Sequence, residues 1–238
     1  MKVSMIVPAY NEAEFLGRTL ERLQKQTYAD VELIVVDNNS SDNTSEIAKN
    51  YTSLVFTEKK KGYLHAVNRG VKAASGDILT FCDADTLYPP YWVEQIVLAF
   101  HQHPDAVAVY GSCKTHDSKP VLNRINGICY TAFLQTSRLL GMDNTSGFNF
   151  AFKKDAFLKV GGYDPKYQKM SPDVELGKRL KKEGAIVFVP TIIVESSFRR
   201  FKKGGVVQTT SFFLKAWWQM LRGKEPSVSY ETYNKDPR

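Results

Sequence analysis

Apolar runs of strand length alternate with stretches of helical periodicity through the first half of the chain, and that alternation admits few folds. Lys2–Val7 is a short β run stopped by Pro8, and Val31–Val36, apolar except for Glu32, reads as a strand buried on both faces. Further strands are predicted at Ser53–Thr57 and Ile78–Cys82. Between them Phe15, Leu16, Thr19, Leu20 and Leu23 share one helical face, with Asn11 placed to cap the helix and Glu14 three residues on. Glu46–Lys49 reads as a short helix, and Leu64, Val67, Val71 and Ala74 repeat at helical spacing before Gly76 breaks the pattern. This succession predicts an α/β fold with a mostly parallel central sheet flanked by helices.

Beyond Pro89-Pro90 the pattern loosens. Helices are predicted at Trp92–Phe100, Leu122–Leu140, Asp155–Val160 and Val174–Lys182, and strands at Ala106–Tyr110, Gly147–Phe152 and Ala185–Val189. With 238 residues, 43% hydrophobic and 24% charged, the chain has length enough for one well-filled domain and the composition of a globular protein. Its formal charge of +7 gathers near the C-terminus, where Arg199, Arg200, Lys202, Lys203, Lys215, Arg222 and Lys224 crowd together. A basic cluster confined to one stretch, with no recognition module, disfavours nucleic acid. Within it Ser211–Arg222 is helical in propensity and apolar over more than one face. That segment suits a membrane interface, the protein's own core or a dimer contact, and the sequence leaves the three open.

Cys82, Cys113 and Cys129 are odd in number and widely spaced, which points to a reducing compartment. The N-terminus reads as a first strand rather than a signal peptide, and no run of about 18 apolar residues exists to span a membrane. The expectation is a cytoplasmic protein, with a peripheral contact to the inner membrane face as one of the three readings of its C-terminal segment.

Three predicted strands end in polar or acidic groups. Pro8-Ala9-Tyr10-Asn11-Glu12 follows the first, Asp37 the second, and Asp83-Ala84-Asp85 the fourth. In an open α/β sheet, ligands bind beyond the carboxyl ends of the strands. Asp37 alone reads as a solvated cap, and Asn38–Asp42 as a helix-capping turn. Two carboxylates around one small residue at a sheet edge say more: they are hard oxygen ligands suited to Mg²⁺ or Mn²⁺ and to the phosphates such an ion neutralises. No Gly-x-x-x-x-Gly-Lys or Gly-x-Gly-x-x-Gly loop is present, so a metal must carry much of the charge of any phosphates bound there.

In order and spacing these motifs resemble the family-2 glycosyltransferases of the GT-A fold. The matching residues are Val7-Pro8-Ala9-Tyr10-Asn11-Glu12, Val35-Val36-Asp37-Asn38, Ala66-Val67-Asn68-Arg69-Gly70, Ala74-Ser75-Gly76-Asp77 and Phe81-Cys82-Asp83-Ala84-Asp85. Gly161-Gly162-Tyr163-Asp164 and Asp173-Val174-Glu175-Leu176 follow, so the likeness covers about residues 1–195. The resemblance implies a single GT-A domain over 1–198, with a nucleotide-sugar half (about 1–110), an acceptor half (about 111–198) and a basic, aromatic segment at 199–238. It implies that Pro8, Ala9, Tyr10, Glu12 and Asp37 hold nucleobase and ribose, that Asp83 faces the ribose or the metal, and that Asp85 ligates the metal. Gly162, Tyr163 and Arg199 are candidates for acceptor or phosphate contacts. The implied activity is metal-dependent, inverting transfer of one hexosyl group from a UDP- or GDP-type sugar. The acceptor would be a hydroxyl or a lipid phosphate, in envelope glycan or glycolipid synthesis.

Such transfer needs a base for the acceptor hydroxyl, and Asp173 is the candidate; its simpler reading is a helix N-terminal acid favoured by the dipole. Two departures from the family pattern stand out. Pro172 replaces the Glu that usually precedes the Asp, and Glu195 stands near where many relatives carry a His. The Gln-x-x-Arg-Trp signature of processive synthases is missing, which favours a single transfer. His65, His101, His103 and His116 show no ligand spacing. Gly161-Gly162 also reads as a helix C-cap. A sugar nucleotidyltransferase, or an inactive nucleotide-sugar-binding or membrane-recruited module, are the alternative readings; the first lacks its usual Gly-rich phosphate loop here, and intact Asp83, Asp85 and Asp173 argue against the second.

Overall fold

In a computed structural model of the protein, residues 1–167 and 171–227 are described; the end of the basic segment, 228–238, lies outside the described residues. The strands are Val3–Ala9 (β1), Val31–Asp37 (β2), Val55–Thr57 (β3), Ile78–Phe81 (β4), Ala106–Thr115 (β5), Phe150–Lys153 (β6) and Ala185–Ser196 (β7). They form one sheet in the order β3-β2-β1-β4-β6-β5-β7. The pairs β1–β2, β1–β4, β2–β3 and β5–β7 are parallel, while β6 runs antiparallel to both β4 and β5. The predicted mostly parallel sheet is therefore present, with one reversed strand joining two parallel blocks.

The helices are Leu16–Gln24 (α1), Thr44–Lys49 (α2), Tyr63–Ala73 (α3), Trp92–Gln102 (α4), Pro120–Leu139 (α5), Lys154–Lys159 (α6), Pro172–Leu180 (α7), Arg199–Gly204 (α8) and Val206–Leu221 (α9). They cover both faces of the sheet. Val3, Met5 and Val7 of β1 pack with Leu16, Leu20 and Trp92 on one side, whereas Ile6 packs with Leu64, Val67 and Leu176 on the other. Alternation with period two along a central strand explains why its run is apolar on both faces, Ser4 excepted. From β1 the chain moves outward to β2 and β3, then returns to β4 on β1's other flank. This reversal opens a crevice at the carboxyl ends of β1, β2 and β4, and the three polar strand ends meet there.

Several boundaries differ from expectation for physical reasons. β5 and β7 run five and seven residues further than predicted, pairing as far as Thr115 with Ser196. Their polar tails and Pro190 concealed this, but β7 is an edge strand, where a missing N–H costs no ladder bond. Register shifts at Tyr110/Ser112 make room for Gly111, where an added Cβ would lie 2.1 Å from the Ile192 carbonyl oxygen. The predicted Gly147–Phe152 strand is a 3₁₀ turn over Gly147–Asn149 followed by β6. Asn11 does not cap α1. It adopts a left-handed conformation (φ 52°) and its side-chain oxygen accepts the Ser41 N–H at 2.8 Å, leaving Phe15 before the helix with no side-chain cap.

Asn149 fastens the β5–β7 block beneath the site. Its amide donates to the Ser112 and Ile192 carbonyls (2.7 and 2.9 Å), and its oxygen accepts from the Trp92 indole N–H (2.9 Å), with the residue fully buried. Asn149→Ala strands three buried polar groups, at about 1–3 kcal/mol each when unmatched. Thermal unfolding is expected to move down by roughly 6–12 °C, as 3 kcal/mol does in a chain of this size. A shift of only a degree or two would mean that water replaces the amide.

Candidate active site

The loops after β1 and β2 are tied to each other before any ligand arrives. The Asn11, Glu12 and Ala13 N–H groups donate to the Ser40 hydroxyl (3.0 Å), the Thr44 hydroxyl (2.9 Å) and the Asp42 carboxylate (3.2 Å). Asp37, buried at the end of β2, accepts from the Ser40 N–H at 3.2 Å. Asn38, read from sequence as part of a capping turn, is buried instead. Its amide donates to the Glu58 and Lys60 carbonyls (3.0 and 2.8 Å) and its oxygen accepts the Gly62 N–H (2.7 Å). It thus fixes the β3–α3 loop to the sheet edge. From that loop Lys61 donates to the Tyr10 hydroxyl at 3.1 Å. Pro8 and Ala9 are the last residues of β1, with the Ala9 carbonyl accepting the Asn38 N–H at 2.8 Å.

Asp83 and Asp85 emerge from β4 into the same crevice. The Asp83 N–H donates to the Tyr88 hydroxyl (3.0 Å), and Tyr88 in turn packs against Trp92. Asp83 as a residue is largely but not fully buried. Burial pushes its pKa up, and the Asp85 and Asp173 charges push the same way. Burial and like charge of this kind, only partly offset by Arg200, are what a cation relieves. Among the described residues no three His, Cys, Asp or Glu side chains converge into a metal cage. Two carboxylates fit a Mg²⁺ or Mn²⁺ whose remaining ligands are phosphate oxygens and water.

Arg199 occupies the space between the acids. Its guanidinium donates to both Glu12 oxygens (3.0 and 2.8 Å) and to Asp85 (2.8 Å), and it lies over the Phe15 ring. The basic segment therefore reaches back to the crevice through α8. Glu195 does not point into this cluster. Its side chain pairs with Lys114 (3.0 Å), while its main chain exchanges hydrogen bonds with Leu87, just past Asp85. His116 on the neighbouring strand end places Nε2 3.3 Å from the Asp85 carbonyl.

Asp173 stands at the start of α7, near Asp83 across the sheet edge. Its carboxylate accepts hydrogen bonds from the Tyr163 hydroxyl and the Gly147 N–H, and its carbonyl accepts from Thr145 (2.7 Å). Burial raises its pKa, although those donors oppose the rise. A side chain at 147 would collide with the carboxylate, since a Cβ there lies 2.9 Å from Oδ1. Ser171 takes a left-handed conformation (φ 53°) and Pro172 opens the helix, so the residue that departs from the family pattern sets the backbone that presents Asp173. Gly162 serves as a C-cap of α6, donating to the Phe157 carbonyl at 2.9 Å from a left-handed backbone. Tyr63, Gly147 and Asn149 were missed by sequence reasoning. Tyr63 touches Tyr163 edge-on in this wall, and its only sequence signal was an aromatic opening a helix after glycine.

Comparison with known proteins agrees with this architecture. The sequence pattern of glycosyl transferase family 2 matches residues 4–161. An uncharacterized glycosyltransferase of Nostoc sp. is 30% identical over 180 residues, covering 69% of this chain and 55% of that protein. The chain spans about half the length of the curated relatives it matches. Among solved structures, a Pyrobaculum calidifontis mannosyltransferase in complex with GDP-Man and Mn²⁺ superposes with a TM-score of 0.66 at 21% identity. The match covers 90% of this chain and 64% of that one. Glucosyl-3-phosphoglycerate synthase of Mycobacterium tuberculosis, solved with Mn²⁺, UDP and glucosyl-3-phosphoglycerate, gives 0.65 at 20% identity over 95% and 81% of the two chains. Strand ends, acidic pair and matching pattern lead to one conclusion: this chain belongs to glycosyl transferase family 2.

Proposed function

We propose that this protein is a metal-dependent, inverting glycosyltransferase that moves one sugar from a UDP- or GDP-type donor to a hydroxyl or lipid-phosphate acceptor. The observation that carries the reading is the convergence of Asp83, Asp85 and Asp173 on one crevice, where burial first, and then the Asp85 and Asp173 charges, raise the pKa of the Asp83 carboxyl. In this reading Pro8, Ala9, Tyr10, Glu12 and Asp37 form the nucleoside wall, and Asp85 with Asp83 holds Mg²⁺ or Mn²⁺. When bound, that ion neutralises the charge growing on the departing diphosphate. Asp173 receives the acceptor's proton, with Tyr163 and the Gly147 N–H fixing the carboxylate's orientation. Burial makes it a stronger base than an exposed aspartate. Attack from that side, opposite the leaving diphosphate, inverts the anomeric centre.

Arg199 swings from Glu12 and Asp85 to the diphosphate once a donor enters, since all three are anions competing for one guanidinium. The 199–224 stretch, through its aromatic and basic residues, also supports contact with a membrane surface. Nucleotide relatives differ in base: GDP-Man sits in the mannosyltransferase and UDP in the phosphoglycerate-linked synthase. A thermal-shift panel of UDP- and GDP-sugars with and without Mn²⁺ tests the reading. Stabilisation by one nucleotide sugar, dependent on the metal, is the expected result. No shift with any donor in the presence of Mn²⁺ refutes it.

A further inference from the structure

The outer face of α5 is built the wrong way round for a helix facing water. Val121, Ile125, Ile128 and Leu139 recur at intervals that place them on one side, and they are 71%, 50%, 62% and 88% exposed. Ala132 continues the stripe and is exposed as well. A helix of 20 residues gives this stripe a length of about 30 Å. The opposite side of α5 is spent on the fold: Leu134 is buried, Thr131 meets the Ser112 hydroxyl, and Ser137 accepts the Trp217 indole N–H of α9 at 3.0 Å. The apolar stripe is thus surplus to the core.

Charge supplies the second observation. From residue 118 to 142 there is no acidic side chain, and Lys119, Arg124 and Arg138 are basic, Arg138 lying 3.8 Å from Asp143 beyond the helix. From 197 to 224 seven more basic residues occur with no acid, of which Arg199 is held in the crevice by Glu12 and Asp85. These two stretches carry more than the whole formal excess of +7, so the rest of the protein is net acidic. A second copy of the chain is a poor occupant, because pairing α5 with itself brings two sets of Arg124 and Arg138 together, and Asp143, the carboxylate near Arg138, is already held by Lys181 at 2.7 Å. A bilayer carrying anionic lipids satisfies both features, taking the aliphatic side chains between headgroups and the cations at phosphate level.

We propose that α5 is a membrane-docking helix, lying flat on an anionic lipid surface with Val121, Ile125, Ile128 and Leu139 inserted. The assignment goes beyond the membrane contact ascribed to residues 199–224 and rests on neither the donor nor the metal. It has a consequence for the acceptor. Beside the stripe, between α5 and the edge strand β7, runs a groove of about 430 Å³ lined by Ile128, Ala132, Pro190 and Ile193 with Lys114 and Arg124. The last two also line an adjoining hollow with His116 and Glu195, the strand end that touches the Asp85 carbonyl. Docking on α5 therefore lays a path from the lipid surface to the rim of the acidic crevice.

The experiment is vesicle co-sedimentation of the 238-residue chain, with vesicles of phosphatidylcholine alone or mixed with phosphatidylglycerol. The intact protein is expected to pellet with the anionic vesicles, and Ile125→Ser/Ile128→Ser to lower that binding by about tenfold or more. Both sites are exposed, so the variant's melting temperature and its Mn²⁺–nucleotide thermal shift should match the parent's. The latter readout separates this idea from the glycosyltransferase reading, since either can fail alone. Three results overturn it: no binding to anionic vesicles, binding that the α5 variant leaves intact while Val207→Ser in α9 abolishes it, or a dimer in light scattering that the α5 variant splits without altering vesicle binding.

Discussion

Asp173→Asn is expected to bind the nucleotide sugar and metal as the parent does while turning over about 10²–10⁴-fold more slowly, the usual worth of a positioned general base. The substitution keeps shape, and the amide can still accept from Tyr163 and the Gly147 N–H, so the wall around it stands. Its stability consequence has a definite sign. A carboxylate whose pKa is raised by burial favours the native state while protonated and loses that advantage as pH rises through the raised value. At neutral pH the neutral amide removes this cost, and Asn at 173 should melt no lower than Asp. A melting drop with matching loss of donor affinity would mean that Asp173 is a structural helix acid. The pH profile adds an independent check. The parent's rate should fall as pH drops through a pKa above the ordinary carboxylate range, because protonation removes the base, and the Asn variant's residual rate should lack that limb.

β1, β2 and β4 were legible because they are buried on both faces over most of their length, so Val31–Val36 and Ile78–Phe81 could be read from runs apolar but for Glu32 and Thr80, and the acids at their ends followed from the topology. β5 and β7 were only half legible. Beyond Tyr110 and Val189 they lie at the sheet's edge beside a glycine-hosted register shift, where neither alternation nor apolarity is required. Asn11 shows the limit of local rules. An Asn followed three residues later by Glu satisfies the capping pattern, yet here the partner lies 30 residues away in the β2 loop. Asn38 and Asn149 were opaque for the same reason: a buried amide looks like any surface turn residue until the carbonyls it serves are brought to it by the fold. Arg199 could be marked as a phosphate ligand from its charge, but its pairing with Glu12, 187 positions earlier, has no sequence signature.

Asp85→Ala should abolish the metal-dependent part of nucleotide binding, while leaving the protein folded. The two halves of that expectation have separate causes. In the ligand-free protein Asp85 is one of two acids holding Arg199, and the guanidinium keeps its two bonds to Glu12 when Asp85 is gone. Both partners are mostly buried, but Glu12 still matches the guanidinium, so the lost pair costs about 1–3 kcal/mol and leaves no unpaired charge. The ligand-bound protein has no such reserve. On the proposed assignment a hard divalent ion would lose one of its two side-chain carboxylates, leaving Asp83 to hold it alone. Titrating nucleotide sugar by calorimetry with Mn²⁺ and with chelator measures the difference directly. The parent should lose affinity on chelation by about 100-fold or more, and the variant should bind weakly and equally in both conditions. Metal-enhanced affinity that survives in the Asp85→Ala protein would mean that the ion is gripped elsewhere in the crevice, and Asp85 would then be a partner of Arg199 alone.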